Sequence, residues 1–484
     1  VSIKNVEIET NFIELNSIKK SALDLLNVSF YKDYLNKIIK WKFKISSSFN
    51  LNDNYNVKNF ILSGEIKNTD YSINSNNKIT NIKLNFVFKD KNIKVNSLSA
   101  NLNYVSIEDG LIVIKNQKSF TNMDIETSVS LNKDNLKLPV IKKTFKKGEV
   151  YKLNTELNIY KNGKYLIKAL SLNDNENTLI LDNLSLNKNF QIQSFKSIQV
   201  KTKDENKTNN NFKIENKDSI LIKGKVFDAT ILLKELDNTD NKNNLLKNIS
   251  KKIEIDFKEV LTNTELPLNN FRLIGLIKKG ELQKISAKSE YSKNKFLDLS
   301  LNKDSKTGDS ILEIYSDEAK PLVNGYEFFE GLEGGSLIFV SKSNKNKTFG
   351  NLSIENFKLN KAPGFAKLLS LADLRGLTDA LKGEGITFDK LSINYESTND
   401  WMEISEIFLI GPSISILVEG YFDKKKDILS LRGTLVPAKT LNSLVSKIPV
   451  IGDILIGKKT GDGLFGVSFK IKGPTDNLKT SVNP

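Results

Sequence analysis

Residues 82–89 read IKLNFVFK, with Ile82, Leu84, Phe86 and Phe88 at every second position. A period of two places alternate side chains on opposite faces of a β-strand, so this stretch presents one oily face and one largely polar face. The alternation returns at Leu153, Thr155, Leu157 and Ile159, at Ile253, Ile255 and Phe257, at Leu297, Leu299 and Leu301, and at Val467, Phe469 and Ile471. Between these runs lie clusters of Asn, Asp, Lys and Gly such as SINSNNK (72–78) and LNDNEN (172–177). Asn and Asp side chains bond to nearby backbone amides and favour turns.

Strands recurring about every 8–12 residues predict a mostly β, antiparallel protein. At about 12 residues for a strand and its turn, the chain has room for roughly 30 strands. Stacked at ~4.8 Å each, they would extend on the order of 140 Å, too far for one compact sheet. The expected architecture is therefore either several β-domains or one elongated, curled antiparallel sheet, a rod or groove with few short amphipathic helices. Periodicity leaves open whether the oily faces close on one another as a sandwich or line an open groove. The residues it nominates for a groove are Ile82, Leu84, Phe86, Phe88, Ile253, Ile255, Phe257, Leu297 and Leu299. A looser theme sets Gly inside apolar strands, as in ILSGEI (61–66), RLIGLI (272–277), LVEGYF (417–422) and LSLRGTL (429–435). Such glycines imply bends or close backbone approach.

Three segments depart from period two. Residues 14–41 carry Leu15, Ile18, Ala22, Leu25 and Leu26, then YLNKIIKW, at roughly helical spacing. Residues 362–382 place Pro363 in a first helical turn and Gly383 just past the end. Phe365, Leu368, Leu369, Ala372, Leu374, Leu377 and Leu381 form its broad apolar stripe. Residues 438–456 predict a short helix broken at Pro449. There Leu444, Val445, Ile448, Val450, Ile451, Ile454, Leu455 and Ile456 lie beside Lys439, Lys447, Lys458 and Lys459. Apolar residues flanked by Lys suit contact with a membrane surface, and a buried hairpin shares that pattern. The expected organisation is a β-rich segment with a helical start (1–200), a β-rich groove segment (201–349), and a C-terminal region with helices 362–382 and 438–456 (350–484).

Composition narrows the chemistry. The 484 residues include no His and no Cys. That excludes imidazole bases, thiol nucleophiles, redox dithiols and Cys/His zinc sites. No cofactor or metal is implied, and carboxylate-based hydrolysis is the remote enzymatic alternative. Glu403 and Glu406 fall in a strand segment, and GLEGG (331–335) and GKKTGDG (457–463) lack phosphate-loop spacing and read as turns, as do KKGEV (146–150) and the Lys run 424–426. The balance is basic, 72 Lys+Arg against 57 Asp+Glu. Only Arg272, Arg375 and Arg432 are arginines, which argues against nucleic acid as a partner. Scattered Lys can instead attract an anionic membrane surface. No apolar stretch reaches the roughly 20 residues of a spanning helix.

Several phrases point to a family. GNLSIENFKLNKAPGFAKLLSLADLRGLTDALKGEGITFDKL (350–391), GPSISILVEGYFD (411–423), LRGTLVPAKTLNSLVSKIPVIGDILIGKKTGDGLFGVSFKIKGPTDN (431–477) and the final SVNP resemble, in order, the C-terminal region of AsmA-like envelope proteins, the large YhdP-like members in particular. LIKGKVFDATILL (221–233) and YEFFEGLEGGSLIF (326–339) are similar more weakly. The resemblance implies a long periplasmic β-rod with an open hydrophobic groove and an inner-membrane anchor N-terminal to this chain, which begins at Val1. It implies a non-enzymatic bridge-like carrier of phospholipid between inner and outer membranes, with acyl chains and membrane surfaces as partners. A non-enzymatic assembly factor for the outer membrane, pairing its strand edges with client segments, is the alternative.

Overall fold

A computed structural model describes residues 6–15, 38–72, 78–90, 92–102, 105–116, 120–131, 136–138, 141, 143–174, 176–189, 191–204, 207–230, 250–262, 266–278, 281–304, 306–323, 329, 331–344, 346–360, 362–437 and 466–483. The chain divides into two compact units, Val1–Asn248 and Ile249–Pro484. Each is an open, curled antiparallel sheet, as the alternation predicts. Almost every strand pairs with the next strand in the chain. In the N-terminal unit the ladder runs from Ile38–Leu51 through Val57–Ser72, Lys78–Lys89, Asn92–Leu102, Val105–Asn116 and Phe120–Leu131. It continues through Val150–Tyr160, Tyr165–Asn173, Thr178–Leu186, Ser197–Asp204 and Lys207–Asn216 to Ser219–Asp228. Short strands Val6–Glu9 and Ile13–Leu15 cover the outer edge of Ile38–Leu51. In the C-terminal unit the ladder runs without interruption from Lys251–Leu261 to Lys479–Asn483.

The Asn and Asp residues have two tasks. In turns they act as expected: the Asp174 carboxylate accepts from the Glu176 and Asn177 amides at 2.7 and 2.5 Å. The Asn344 side chain accepts from the Asn346 and Lys347 amides at 3.0 and 2.8 Å. Inside strands they have a role that alternation did not reveal. Asn59, Asn68, Asn81, Asp109 and Asn270 have φ between 50 and 55°. Each lies at a shift in pairing register. Asn and Asp enter the left-handed region more easily than other non-Gly residues. An extra residue bends and twists its strand there, which curls the sheet. A hydroxyl from the opposing strand steadies two of these bulges. Thr127 Oγ1 donates to the Glu108 carbonyl at 3.0 Å, and Ser289 Oγ donates to the Asn269 carbonyl at 2.8 Å.

The densest core lies in the C-terminal unit, where three helices pack on one end of the sheet. These are α1 (Lys320–Val323), α2 (Pro363–Leu371) and α3 (Arg375–Lys382). The single helix expected over 362–382 is thus two. Asp373, at φ 55°, breaks it, and the Leu374 amide turns back to the Leu369 carbonyl at 3.0 Å. Pro363 occupies the first turn as expected, and the Gly383 amide closes α3 on the Asp379 and Ala380 carbonyls. Phe365, Leu369 and Leu381 are fully buried, with Phe365 edge-on to Phe388 at 5.8 Å. The apolar stripe faces the core. Helix is not found at either described end of 14–41: Ile13–Leu15 is a strand paired with Trp41–Phe43, and Ile38–Leu51 is a strand throughout. Alternating residues in IIKWKF satisfy a ladder partner on each side there, which overrides the local helical spacing. The rest of that stretch, and the helix expected over 438–456, lie outside the described residues.

Burial changes sharply between neighbouring rows of one strand. Leu391 is fully buried, whereas Ile393, two residues on and on the same face, is half-buried. Leu391→Ala is expected to cost about 3 kcal/mol and Ile393→Ala only about 1 kcal/mol, read from urea unfolding of the two variants. Equal costs would mean that both rows are sealed. At the bulges, Asn68→Val is expected to destabilise by about 1–2 kcal/mol while Asn68→Gly is neutral, measured by thermal melting.

Candidate functional site

In an antiparallel ladder, directly opposed residues point to the same face, so the register defines which side chains form rows across the sheet. In the C-terminal unit one row starts at Ile255 and passes through Leu273, Ala287, Leu299, Ile314 and Phe339. It continues through Leu352, Ile393, Ile407, Val418, Gly433 and Phe469 to Val482. Every strand of the unit contributes, and no position is polar. A neighbouring row on the same face takes Ile253, Gly275, Ile285, Leu301 and Leu312, then, past Ser341 and Gly350, Tyr395, Ile404, Gly420, Leu431 and Ile471. The row nearer the helices holds Leu297, Leu337, Ile354, Leu391, Leu409, Ile416 and Leu435.

These rows differ in exposure. The helix-side row is at most 8% exposed at every one of its aliphatic side chains. In the Ile255–Val482 row Ala287, Val418, Gly433 and Phe469 are buried, and the rest are half-buried. A closed sandwich would bury all of them. The oily face is thus shut at the helix end and open beyond it.

Glycines adjust the surface of these rows. An added Cβ on Gly350 would stand 2.1 Å from the Tyr395 ring, and one on Gly433 would stand 2.6 Å from the Phe469 ring. The large side chain of one strand therefore lies flat over the glycine of the next. This is the close approach that the repeated in-strand Gly predicts. GLEGG is only partly a turn: Gly331 turns, while Leu332–Ser343 is a strand whose Gly334 and Gly335, at φ 67 and 80°, accommodate an irregularity beside Asn356.

The N-terminal unit repeats the plan. Leu62, Phe88, Ile93, Ile114, Met123 and Leu157 stand opposite one another in turn, followed by Ile167 and Leu184. All are half-buried. The next row includes Phe86, Val95, Ile112 and Ile125, then Leu170, Leu181, Ile198, Ile214 and Ile222 beyond Thr155. One end of this face is covered by the hairpin Leu136–Leu138 and Lys143–Phe145. Phe145 packs edge-on to Tyr151 at 5.1 Å, and the buried Asn210 side chain donates to the Ile141 carbonyl at 2.6 Å. Burial, reinforced by a 2.6 Å hydrogen bond to Glu149, pushes the Tyr151 hydroxyl pKa well above its ordinary value.

The opposite face of the C-terminal unit carries ion pairs beside exposed apolar side chains, among them Ile274, Ile311 and Ile338. Lys288 meets Asp298 at 3.2 Å, Lys390 meets Glu355 at 3.2 Å, and Arg432 pairs with Glu419. Exposed pairs of this kind contribute about 0–1 kcal/mol each, so they select solvent as neighbour more than they hold the fold.

Of the groove residues nominated by sequence, Leu84, Phe86 and Phe88 share the oily face of the N-terminal unit with the half-buried Ile82. Ile253, Ile255 and Leu299 lie half-buried in the open rows of the C-terminal unit. Phe257 and Leu297 are packed shut, at 3% and 8% exposure. Leu444, Val445, Ile448, Val450, Ile451, Ile454, Leu455 and Ile456 lie outside the described residues. Alternation missed Leu273, Ile314, Phe339 and Leu352 as members of one row, because row membership depends on register, which a single strand does not encode. Glu403 and Glu406 stand on a strand, as read from sequence. Among the described residues no three acidic side chains cluster as a metal site would require, and no helix is long and apolar enough to cross a membrane.

The arrangement sets continuous, half-buried apolar rows along one face of each unit. Comparison with protein-family models, with curated proteins and with solved structures finds no match to this chain.

Proposed function

We propose that the chain is a non-catalytic phospholipid carrier that shields acyl chains on the oily face of its sheets as lipid passes between the two membranes of a cell envelope. The observation that carries this reading is the apolar row from Ile255 to Val482, unbroken across the unit and half-exposed over most of its length. The AsmA-like phrases of residues 350–484 support it and suggest a periplasmic setting.

The energetics favour such a surface. Passing a two-chain lipid through water exposes about 30 methylenes at ~0.8 kcal/mol each, roughly 25 kcal/mol. A barrier of that size corresponds to escape on a scale of days. Aliphatic walls that replace the lost contacts remove most of it without an acid, base or metal. A head group that stays in solvent loses little hydration, so the trough can remain open.

The reading is tested by mass spectrometry of lipids that co-purify with the full chain. Leu299→Asp, Leu352→Asp and Ile393→Asp, combined, place carboxylates in the open row, and recovered phospholipid is expected to fall at least about tenfold. Glu313→Gln, Asp298→Asn and Glu355→Gln on the opposite face are expected to leave recovery unchanged. Equal recovery from both sets would sink the carrier reading. Stoichiometric outer-membrane protein in place of lipid would favour an assembly factor.

A further inference from the structure

Beyond the open rows of the C-terminal unit, the same face ends in a change of chemistry. One step further from the helices, the register aligns Lys303, Ser310, Ser343, Thr348 and Ser397. Over these five strands the aliphatic rows give way to a rim of one lysine and four hydroxyls, and the row turns apolar again at Met402 and Phe422. Ser343 Oγ and Thr348 Oγ1 are hydrogen-bonded at 2.9 Å. At the end of this rim, Lys424 Nζ donates to Ser397 Oγ and to the Thr398 carbonyl, both at 2.6 Å.

Lys424 differs from the cations around it. Lys425 pairs with Asp400 at 2.8 Å, Lys426 with Asp423 at 3.7 Å, and Lys303 with Glu281 at 2.7 Å. Lys424 is half-buried, and among the described residues its ammonium has neutral oxygen partners and no carboxylate. An ammonium has three donors, and two are used here. A half-buried cation with no carboxylate partner among the described residues, held by one hydroxyl and one backbone carbonyl at the border of an oily face, suits the phosphate of an amphipath whose tails lie on that face.

We propose that Lys424, positioned by Ser397 and flanked by the hydroxyls of Thr348 and Ser343, holds the phosphate of a glycerophospholipid whose acyl chains occupy the adjoining rows. This rests on the carrier reading and makes it more specific. Contact is with the phosphate, common to every glycerophospholipid, so the site distinguishes phospholipid from diacylglycerol and leaves the rest of the head group unread.

The test is equilibrium binding to the delipidated full chain, with dioleoylphosphatidylglycerol, dioleoylglycerol and inorganic phosphate as probes. The wild type is expected to bind the phospholipid about tenfold more tightly than dioleoylglycerol. Lys424→Gln is expected to bring the two within about twofold by weakening only the phospholipid, and Lys424→Arg to restore the difference. Matching melting curves establish that both variants fold. Equal wild-type affinity for the two lipids, or a parallel loss of both in Lys424→Gln, overturns the phosphate assignment and leaves the carrier reading standing. Inorganic phosphate binding as tightly as the phospholipid also overturns it, because the tails then contribute nothing. Failure of the wild type to bind either lipid removes the carrier reading and the phosphate site together.

Discussion

Everything in this molecule depends on register. Side chains alternate with a period of two, so sliding any strand by one residue would move its oily set to the ion-paired face and its Lys and Glu into the rows. The Ile255–Val482 row stays apolar only because each successive pairing is right. Much of this correctness is secured locally. Short turns tied by Asp174, Asn344 and similar residues fix the offset between neighbours, and a hydroxyl opposite a bulge fixes where the extra residue goes. Bulges therefore bend the sheet without scrambling the rows.

The two ends of each oily face have different roles. Packing α2 and α3 against Phe357, Phe388 and Leu391 supplies the C-terminal unit with a conventional core, and the row beneath them is sealed. In the N-terminal unit a small hairpin takes the part of the helices, with Tyr151 and Asn210 beneath it. In each case a buried end anchors the strands, and the stability it provides allows the middle of the same strands to remain half-exposed. An entirely open sheet would forgo most of its burial energy, and an entirely closed one would have no surface to offer.

Much of this could be read from sequence. The eight residues from Ile82 to Lys89 contain the strand, its polarity and its oily face, and similar runs give the fold class. The amphipathic stripe of 362–382 is legible in sequence and faces the core, whereas the break at Asp373 is not, because one residue of αL backbone leaves hardly any trace in an apolar pattern. Phe257 and Leu297 follow the same alternation as Ile255 and Leu299, yet they are sealed, because burial depends on what lies over a row and not on the strand itself. Asn within strands looked like ordinary turn-forming composition, and only pairing reveals Asn59, Asn68 and Asn270 as places where the chain bends. The polar rim is similarly hidden. Ser310, Thr348 and Ser397 are unremarkable singly and become a line only when three strands are set side by side.

The meander connectivity has a consequence for how such a chain is made. Within the described ladders almost every strand finds its partner immediately before or after it in the chain, and the exceptions, such as Val6–Glu9 with Ile38–Leu51 and Phe120–Leu131 with Val150–Tyr160, span a few tens of residues. Contacts of low sequence separation form quickly, and a sheet can grow one hairpin at a time from whichever portion is available first. A polypeptide threaded in a single direction through a narrow pore could therefore assemble behind its own leading end. At every stage it would present one unfinished border, which makes protection of that border during growth the main hazard of its biogenesis.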